Sequence, residues 1–494
     1  MMRETPQQEG QQHRPRIVII GGGISGLAAA QRVVELSKGL KRAPELLLLE
    51  GGRRTGGVIR TWRREGFLLE GGPDSFISEK PEAVALAARI GLAERLIETN
   101  EAHRRSFIVR DGRLQAVPEG FHLLAPSRLW PFITTPIFSW TGKARMALDL
   151  LLPRRAESAN GQHEESLAQF VRRRLGREAL ERMAQPMVGG IYTADPERLS
   201  LRATMPRFLE MERAHRSLIW GMMKRGRRQQ QEGSADVARG TSGARYSLFL
   251  SFDGGMQMLV DAINARLPQG SVRLKTSVEA LSFDNQTRRW RVHVGGDEAI
   301  CADAVCLALP AYTAALLLKS VDAELAADLA AIPYASTATL NLAWKRRDIE
   351  HPLDGFGFVV PMVERCATLA CTFSSVKFKG RAPEGYALLR AFVGGALQPE
   401  MFELDEETLT ARVLRDLRDL LGIEAPPIFA VVEKWPRSMA QYHLGHLERV
   451  ARIRGRIASL GGLHLAGNAY DGAGIPDCIR SGETAAEDIL KSLK

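Results

Sequence analysis

The sequence of 494 residues has only five cysteines, and none of them belongs to a recognisable cysteine motif. The odd number and the low density argue against a disulfide framework. The two-residue spacing of a zinc knuckle is also absent, so the sequence predicts no metal site. We therefore expect ordinary thiols in a reducing compartment, which indicates a cytoplasmic protein.

Long apolar runs are lacking as well. The N-terminal stretch MMRETPQQEGQQHRPR has no apolar core and does not predict a secretory signal. No run of eighteen apolar residues predicts a membrane-spanning helix. An aromatic-rich segment leaves two interpretations open, a membrane-facing surface or an internal helical core, of which the core is favoured; its aromatic residues are Trp130, Phe132, Phe138 and Trp140.

The sequence contains no G-x-S-x-G motif and no paired carboxylates that would indicate nucleophilic or acid–base chemistry. The net charge is +10, from 67 basic and 57 acidic residues. The basic stretch 224–245 has no interleaved aromatics for base stacking, so we expect no nucleic-acid partner. The positive charge leaves one alternative class of protein open, a binder of nucleic acid or of a membrane surface that keeps only a vestigial fold. Such a protein would be colourless when purified.

What the sequence does contain is a complete dinucleotide-binding unit at residues 16–50. An apolar strand, a glycine-rich turn, an amphipathic helix and a second strand follow in order, and the second strand ends at Glu50. The three glycines fit G-x-G-x-x-G: Gly21, Gly23 and Gly26. They permit a tight turn and close approach to a pyrophosphate at the helix N-terminus, while Glu50 can bind a ribose diol. This unit alone does not distinguish NAD from FAD.

Three further glycine-rich stretches could approach a flat ligand. Residues 51–57 follow Glu50, and Arg54 is placed there to bind a phosphate or to hold the turn. A second stretch, 71–73, follows a short strand. The third, 467–474, precedes a C-terminal helix whose N-terminus would stabilise negative charge on a flavin ring. A flavin site built in two parts explains this last motif better than an NAD site does.

The order of strands and helices predicts an α/β fold with three parts. The first is a discontinuous Rossmann-like nucleotide-binding domain of residues 1–95, 246–311 and 455–494. The second is a helical insertion of residues 96–211. The third is a substrate-binding domain with a mixed β-sheet, residues 212–245 and 312–454, in which residues 224–245 are predicted to form a flexible loop.

Motifs along nearly the whole chain resemble the flavin-dependent protoporphyrinogen oxidase family of the amine oxidase superfamily. Three motifs resemble the superfamily as a whole: GGGISGL, LLLE and R-x-GG. Five further motifs resemble the porphyrinogen oxidases in particular: EGGPDSF, QPMVGGIYTADPERLSL, FDGGM, KWPRSMAQYHLGH and GNAYDGAGIPDCIRSG. The resemblance implies FAD as cofactor and a porphyrinogen as substrate, oxidised by six electrons in two-electron steps. Dioxygen would reoxidise the flavin and give peroxide.

The resemblance also implies which residues contact FAD. Those positions are Gly21, Gly23, Ile24, Ser25, Gly26, Glu50, Arg54, Gly57, Val58, Gly72, Pro73, Val278, Trp435, Gly467, Ala473, Gly474 and Ile475. Hydride removal is the work of the cofactor, so no obligatory catalytic side chain is expected. Asp74 and Lys80 are the candidates for tuning or substrate contact, and either could equally be a surface salt-bridge residue.

One departure from the family concerns the substrate. Many members have an arginine before the strand that begins at Phe107, where this sequence has Ser106. Ser106 looks more like bacterial members that act on coproporphyrinogen III, so protoporphyrinogen IX and coproporphyrinogen III both stay open. Another FAD-dependent amine oxidase or desaturase is the alternative function. A homodimer and a peripheral contact with the inner face of the cell membrane also stay open.

Overall fold

The computed structural model describes residues 14–122, 125–155, 164–231, 249–296 and 298–493. Its strands are β1 (Arg16–Ile20), β2 (Glu45–Leu49), β3 (Thr61–Arg64), β4 (Phe67–Glu70), β5 (Phe76–Ile77), β6 (Leu96–Glu98), β7 (Phe107–Arg110), β8 (Arg113–Ala116), β9 (Phe121–His122), β10 (Ala125–Pro126), β11 (Phe249–Phe252), β12 (Val272–Arg273), β13 (Val278–Asp284), β14 (Arg289–Val294), β15 (Ala299–Ala302), β16 (Ala304–Leu307), β17 (Tyr334–Lys345), β18 (Gly357–Val359), β19 (Ala370–Thr372), β20 (Tyr386–Gly394), β21 (Phe429–Ala440) and β22 (Leu463–Leu465).

The helices lie between and after these strands along the chain. They are α1 (Ile24–Ser37), α2 (Glu82–Arg89), α3 (Leu129–Thr134), α4 (Trp140–Ala147), α5 (Leu167–Arg174), α6 (Arg177–Ala179), α7 (Gln185–Tyr192), α8 (Leu201–Thr204), α9 (Pro206–His215), α10 (Leu218–Gln231), α11 (Gln257–Asn264), α12 (Ala311–Leu318), α13 (Ala323–Ala330), α14 (Ser374–Lys377), α15 (Pro399–Glu403), α16 (Glu406–Leu421), α17 (His446–Ser459) and α18 (Ile475–Ser492).

A parallel sheet with the strand order β12-β2-β1-β16-β22 forms the centre of the nucleotide-binding part. Ile17 and Ile19 pack with α1, α11 and α18 on one face. Val18 and Ile20 belong to the core on the other face, where the antiparallel sheet β13-β14-β15 and α12 lie. Burial on both faces explains why the strand is a continuous apolar run. The turns after β1, β2, β16 and β22 meet at the carboxyl edge, where α/β sheets bind ligands.

A larger sheet with the order β21-β17-β20-β19-β18-β7-β8 forms the second part. Its pairs are antiparallel except for β18 with β7. Leu340, Leu342 and Trp344 of β17 share a core with the apolar stripe of α16. Because side chains alternate along a strand, Thr339 and Asn341 lie on the opposite face, toward the end of β4.

Two predictions about the middle of the chain were wrong. Residues 96–211 were predicted to be helical, but β7 and β8 lie among them and extend the larger sheet. Asp111 and Gly112 join these strands with φ angles of 51° and 70°, the conformation of a two-residue hairpin turn that an Asp-Gly pair favours.

The predicted flexible loop also begins too early, because residues 224–231 continue α10 and 232–245 lie outside the described residues. Leu218, Ile219 and Met222 are buried on the first turns of this helix and hold it against the neighbouring helices.

Two aromatic side chains of the aromatic-rich segment are buried and two are exposed. Phe132 and Phe138 are buried and pack on each other with ring centroids 6.0 Å apart. Trp130 and Trp140 are 74% and 73% exposed. None of the helices among the described residues is long and apolar enough to cross a bilayer.

Candidate functional site

The turn between β1 and α1 needs its first and last glycines for steric reasons. Gly21 has a φ angle of 107°, and a Cβ at this position would overlap the carbonyl oxygen of Ala308. A Cβ on Gly26 would overlap the carbonyl oxygen of Gly21. A Cβ on Gly23, in contrast, would meet nothing within 4 Å. The turn is therefore closed toward the sheet and open on the side where a pyrophosphate would lie.

Helix α1 begins at this turn without a side-chain cap. Gly23 is its N-cap residue and offers no side-chain acceptor to the helix amides. The first turn of the helix, with Ile24 and Ser25, therefore presents amides and the positive end of the helix dipole to an anion. The predicted diphosphate position has the backbone that such a group requires.

Glu50 follows β2 and lies beside this turn. Its Oε2 accepts the amide of Gly22 at 2.7 Å, and its Oε1 accepts the amide of Gly52 at 2.7 Å. Each oxygen keeps a second lone pair that can accept a ribose hydroxyl. The amide of Thr276 donates to the carbonyl of Glu50 at 2.9 Å, which brings Val278, two residues later on the edge strand β13, to this end of the site.

The loop after β2 folds back onto the first turn. The amide of Gly56 donates to the carbonyl of Gly22 at 2.7 Å. Arg54 donates to the carbonyl oxygens of Gly57 at 2.6 Å and Ile59 at 2.7 Å. These hydrogen bonds hold the loop together, and the contact of Arg54 with a cofactor phosphate stays a prediction.

The segment Gly71–Pro73 lies against this loop. A Cβ on Gly72 would overlap the carbonyl oxygen of Val58, so backbone packs on backbone at this point. The indole nitrogen of Trp435, on the edge strand β21, donates to the carbonyl of Gly71 at 2.8 Å. These contacts unite the predicted site residues Val58, Gly72 and Trp435 in one wall.

Three polar residues that the sequence did not single out support this wall from the larger sheet. Thr339 Oγ1 donates to the carbonyl of Gly71 at 2.9 Å, and Asn341 Nδ2 donates to that of Glu70 at 3.0 Å. Arg390 Nη2 donates to the carbonyl of Gly72. Polar side chains at alternate positions of an otherwise apolar strand are the signal that could have identified the first two.

Asp74 lies just beyond the wall in a buried charged cluster. Its carboxylate is 3.0 Å from Lys377 Nζ, and the hydroxyl of Ser75 donates to it at 2.7 Å. Burial opposes its ionisation, but the positive charges of Lys377 and Arg390 outweigh burial and hold the pKa of Asp74 well below its usual range. The side chain is thus a paired, ionised group beneath the wall.

Lys80 pairs with the start of α18. Its Nζ lies 2.7 and 2.6 Å from the two carboxylate oxygens of Asp477, which also accepts Arg480 at 2.7 Å. The side chain of Asp477 is buried, whereas that of Lys80 is 44% exposed. Lys80 thus forms a salt bridge, and its role in tuning or substrate contact stays a prediction.

The C-terminal glycine-rich turn brings the end of the chain to the same edge. Gly474 is the N-cap of α18 and has no side-chain cap, so the helix dipole places positive potential at Ile475, and the first-turn carboxylate of Asp477 is neutralised by Lys80 and Arg480. The hydroxyl of Tyr442 accepts the amide of Gly472 at 2.7 Å and donates to the carbonyl of Asn468 at 2.8 Å. The amide of Gly467 donates to Ser481 Oγ at 3.1 Å.

These features fit FAD. The open face at Gly23 and the uncapped start of α1 suit a diphosphate, the carboxylate of Glu50 suits a ribose, and Gly72 and Gly474 lie on separate walls for a ring. Ser106 is only 3% exposed, so it does not line an open cavity. Among the described residues, no group of three or more His, Cys, Asp or Glu side chains could hold a metal ion.

Comparison with known proteins agrees with this geometry. The model of the family described as flavin containing amine oxidoreductase matches residues 24–490. The chain is 35% identical to a coproporphyrinogen III oxidase of Bacillus subtilis (strain 168), over 98% of this chain and 99% of that protein. It is 30% identical to the chloroplastic protoporphyrinogen oxidase of Nicotiana tabacum, over 96% of this chain and 85% of that protein.

A solved structure from Exiguobacterium sp. 255-15 has a TM-score of 0.83 and 30% identity, with 97% of this chain and 99% of that chain covered. Reduced UDP-galactopyranose mutase shares the fold, with a TM-score of 0.70 at 18% identity, 97% of this chain and 96% of that chain being covered. The Rossmann-like α/β fold, the FAD cofactor and the oxidoreductase class are thus confirmed, and the chain belongs to the flavin-containing amine oxidoreductase family.

Proposed function

We propose that this protein oxidises coproporphyrinogen III to coproporphyrin III in tetrapyrrole biosynthesis, with dioxygen as the electron acceptor. One observation carries the proposal. Relatives from Bacillus subtilis and Propionibacterium freudenreichii that are named for this activity are 35% and 36% identical over 98% and 96% of this chain. Plant relatives named for protoporphyrinogen oxidation match at 30% and 29%, and a coproporphyrinogen III oxidase of Staphylococcus aureus (strain NCTC 8325 / PS 47) also matches at 30%, so the two higher identities are what favours coproporphyrinogen III.

The chemistry requires removal of six electrons from the macrocycle. When bound, FAD would supply this chemistry as a hydride acceptor that dioxygen reoxidises, so that three dioxygen molecules would become three hydrogen peroxide molecules per porphyrin. The residues of the chain hold and orient the cofactor and the substrate. Thr339 and Trp435 donate to the carbonyl of Gly71, and Asn341 donates to that of Glu70. These contacts hold the backbone of residues 70–72, which we call the 70–72 wall. The N-terminus of α18 offers positive potential for developing negative charge.

The test mixes the purified yellow protein with coproporphyrinogen III without oxygen and then admits air. We expect flavin bleaching in the first step and porphyrin fluorescence with peroxide in the second. The value of kcat/KM should be about tenfold higher than for protoporphyrinogen IX. Turnover of a primary amine or a carotenoid with no turnover of either porphyrinogen would contradict the proposal and favour another member of the superfamily.

We also propose that this protein is cytoplasmic and that it contacts the inner face of the cell membrane through α3 and α4. The proposed contact face consists of exposed apolar side chains of these two helices and of the turn that follows α4: Leu129, Trp130, Ile133, Trp140, Leu148 and Leu151. Lys143 lies among them, 4.4 Å from the ring centroid of Trp140, and donates to the carbonyl of Ile133 at 2.6 Å. A cation beside exposed tryptophans suits an anionic lipid surface.

Flotation with phosphatidylglycerol vesicles tests the membrane proposal. We expect the protein to float with these vesicles, and Trp130→Ser with Trp140→Ser to weaken binding about tenfold or more, because each indole contributes buried apolar area. Retention of full binding by this double variant, or absence of binding by the unaltered protein, would overturn it.

A further inference from the structure

Arg437 occupies an irregular position in β21. Strand β21 pairs with β17, but the register shifts between Ala335 and Thr337, opposite the stretch that contains Arg437. The backbone of Arg437 has a φ angle of 44°, and its amide donates to Ser336 Oγ at 3.0 Å. A β-bulge redirects a side chain and is over-represented beside active sites, and a left-handed backbone outside glycine is held only where its surroundings require it.

The bulge lies between the two walls of the predicted ring site. Two residues before Arg437, the indole of Trp435 contacts the carbonyl of Gly71. One residue after it, the carbonyl of Ser438 accepts Asn468 Nδ2 at 3.0 Å. Arg437 therefore lies in the chain between a residue that contacts the 70–72 wall and a residue that contacts the C-terminal glycine-rich turn.

The guanidinium of Arg437 is held by an aromatic ring. Its central carbon lies 3.5 Å from the ring centroid of Tyr312, at the start of α12. The Tyr312 ring meets the edge of Tyr334 with centroids 5.1 Å apart, and the hydroxyl of Tyr334 accepts the amide of Ala311 at 2.9 Å. Stacking fixes the plane of the guanidinium but leaves its edge N–H groups free to bind a carboxylate.

Arg437 also differs from neighbouring arginines in its lack of an acidic partner. Arg60 pairs with Glu433 at 2.9 Å, and Arg480 pairs with Asp477 at 2.7 Å. Arg437 is exposed, and no carboxylate forms an ion pair with it within the part of the chain that the structure describes. The site therefore has an oriented cation without a counter-ion.

We propose that Arg437 receives a propionate carboxylate of the porphyrinogen and so contributes to the choice among tetrapyrroles by their number of carboxylates. This inference rests on the proposed function. Arg437 acts as a substrate-binding residue: it forms no covalent bond, and its bidentate hydrogen bonds hold the macrocycle between the two walls. Substrates with more propionates offer more chances of this contact.

The test compares Arg437→Gln with a matched control, Arg64→Gln. Arg64 is also exposed and stacked on an aromatic ring, 4.7 Å from the centroid of Phe429, but it already pairs with Glu65. For Arg437→Gln we expect KM for coproporphyrinogen III to rise about tenfold or more with kcat little changed, because a charged hydrogen bond is lost. Arg437→Lys should recover part of the loss, and Arg64→Gln should match the unaltered protein.

Two further measurements separate the outcomes. Arg437→Gln should weaken binding of coproporphyrin III about tenfold but leave binding of its tetramethyl ester unchanged, since the ester has no carboxylate. An unchanged KM, equal weakening for acid and ester, or a shifted flavin midpoint potential would overturn the role of Arg437 while the oxidase activity stands. Absence of turnover of both porphyrinogens by the unaltered protein would overturn the proposed function and this inference together.

Discussion

The backbone of Gly482 in α18 lies directly against the carbonyl oxygen of Ser25 in α1, so a Cβ on Gly482 would overlap this oxygen. The same Cβ would lie 3.0 Å from the amide nitrogen of Ala29. Both neighbours are backbone of a buried helix and cannot move aside cheaply. This close crossing packs the N-terminal half of α18, which follows the C-terminal glycine-rich turn, against the first turns of α1.

Gly482→Ala should therefore push α18 away from α1 and so disturb the flavin site at the ends of both helices. We expect a loss of roughly 1–3 kcal/mol in the free energy of unfolding, as for overpacking in a core, and weaker retention of FAD. Thermal melts with and without added FAD, together with the flavin content after dialysis, would measure both effects.

Gly455→Ala is the matched control, because Gly455 is an exposed residue within α17 and a Cβ there meets nothing within 4 Å. This change should stabilise the protein by roughly 0.5–1 kcal/mol. If Gly482→Ala kept its FAD and its melting temperature, the crossing would not hold the site together.

Asp74→Asn should lower turnover while FAD stays bound. The change removes the negative charge that neutralises Lys377, whose side chain is only 9% exposed, and should cost roughly 3–5 kcal/mol of unfolding free energy. Because the pKa of Asp74 is lowered in the fold, its contribution is present above about pH 4 and is lost as the pH falls below this value.

The double variant Asp74→Asn with Lys377→Met separates charge from packing. It should regain part of the stability, since Lys377 no longer stays buried without its partner, whereas the buried Arg390 still lacks the negative charge of Asp74. Urea unfolding and steady-state turnover would measure the two effects. Unchanged turnover in Asp74→Asn would remove Asp74 from the substrate or tuning role.

The nucleotide-binding edge could be predicted because its determinants are local. A strand, three glycines and a helix start lie within one short stretch, and Gly21 and Gly26 are required by contacts to the adjacent turn and strand ends. Glu50 could be placed because a parallel strand of known polarity ends there. The structure finds these residues together at the carboxyl edge of the parallel sheet.

The support behind the ring walls could not be predicted in this way. Arg390 contacts the carbonyl of Gly72 and Asn341 that of Glu70, and these partners are far apart in the sequence. Such contacts depend on the register of β17 and β20 and on how the larger sheet docks on β4, which no local pattern encodes. The Asp111-Gly112 turn, in contrast, could have been predicted, because an Asp-Gly pair favours a hairpin turn. It was missed because residues 96–211 were predicted to be helical as a whole.

Lys80→Gln should change stability only slightly. The pair with Asp477 is partly exposed, and Asp477 keeps Arg480 as a second partner, so we expect a loss of about 1 kcal/mol or less. KM for the porphyrinogen should be unchanged. A clear rise in KM without a change in melting temperature would instead identify Lys80 as a substrate contact. The control is Lys491→Gln, which removes an exposed ion pair in the last turn of α18.

Glu70 should make the protein less stable as the pH rises toward neutrality. Burial raises the pKa of Glu70 to about 7, against the hydrogen bonds donated by Thr61 at 2.6 Å and the amide of Met256 at 2.8 Å. Between about pH 4 and pH 7 the folded protein therefore binds a proton that the unfolded chain has released. The free energy of unfolding should fall over this interval by roughly 3 kcal/mol and level off above it.

Glu70→Gln keeps the shape of the side chain but cannot titrate; its amide oxygen can still accept the amide of Met256, while its NH2 group replaces the oxygen that faces Thr61. Urea titrations at about pH 5 and about pH 8 should therefore differ less for this variant than for the unaltered protein, by the amount that Glu70 contributes. Identical pH dependence in the two proteins would show that Glu70 is already ionised at about pH 5. In that case the cations Arg381 and Arg390 would outweigh the cost of burying its charge.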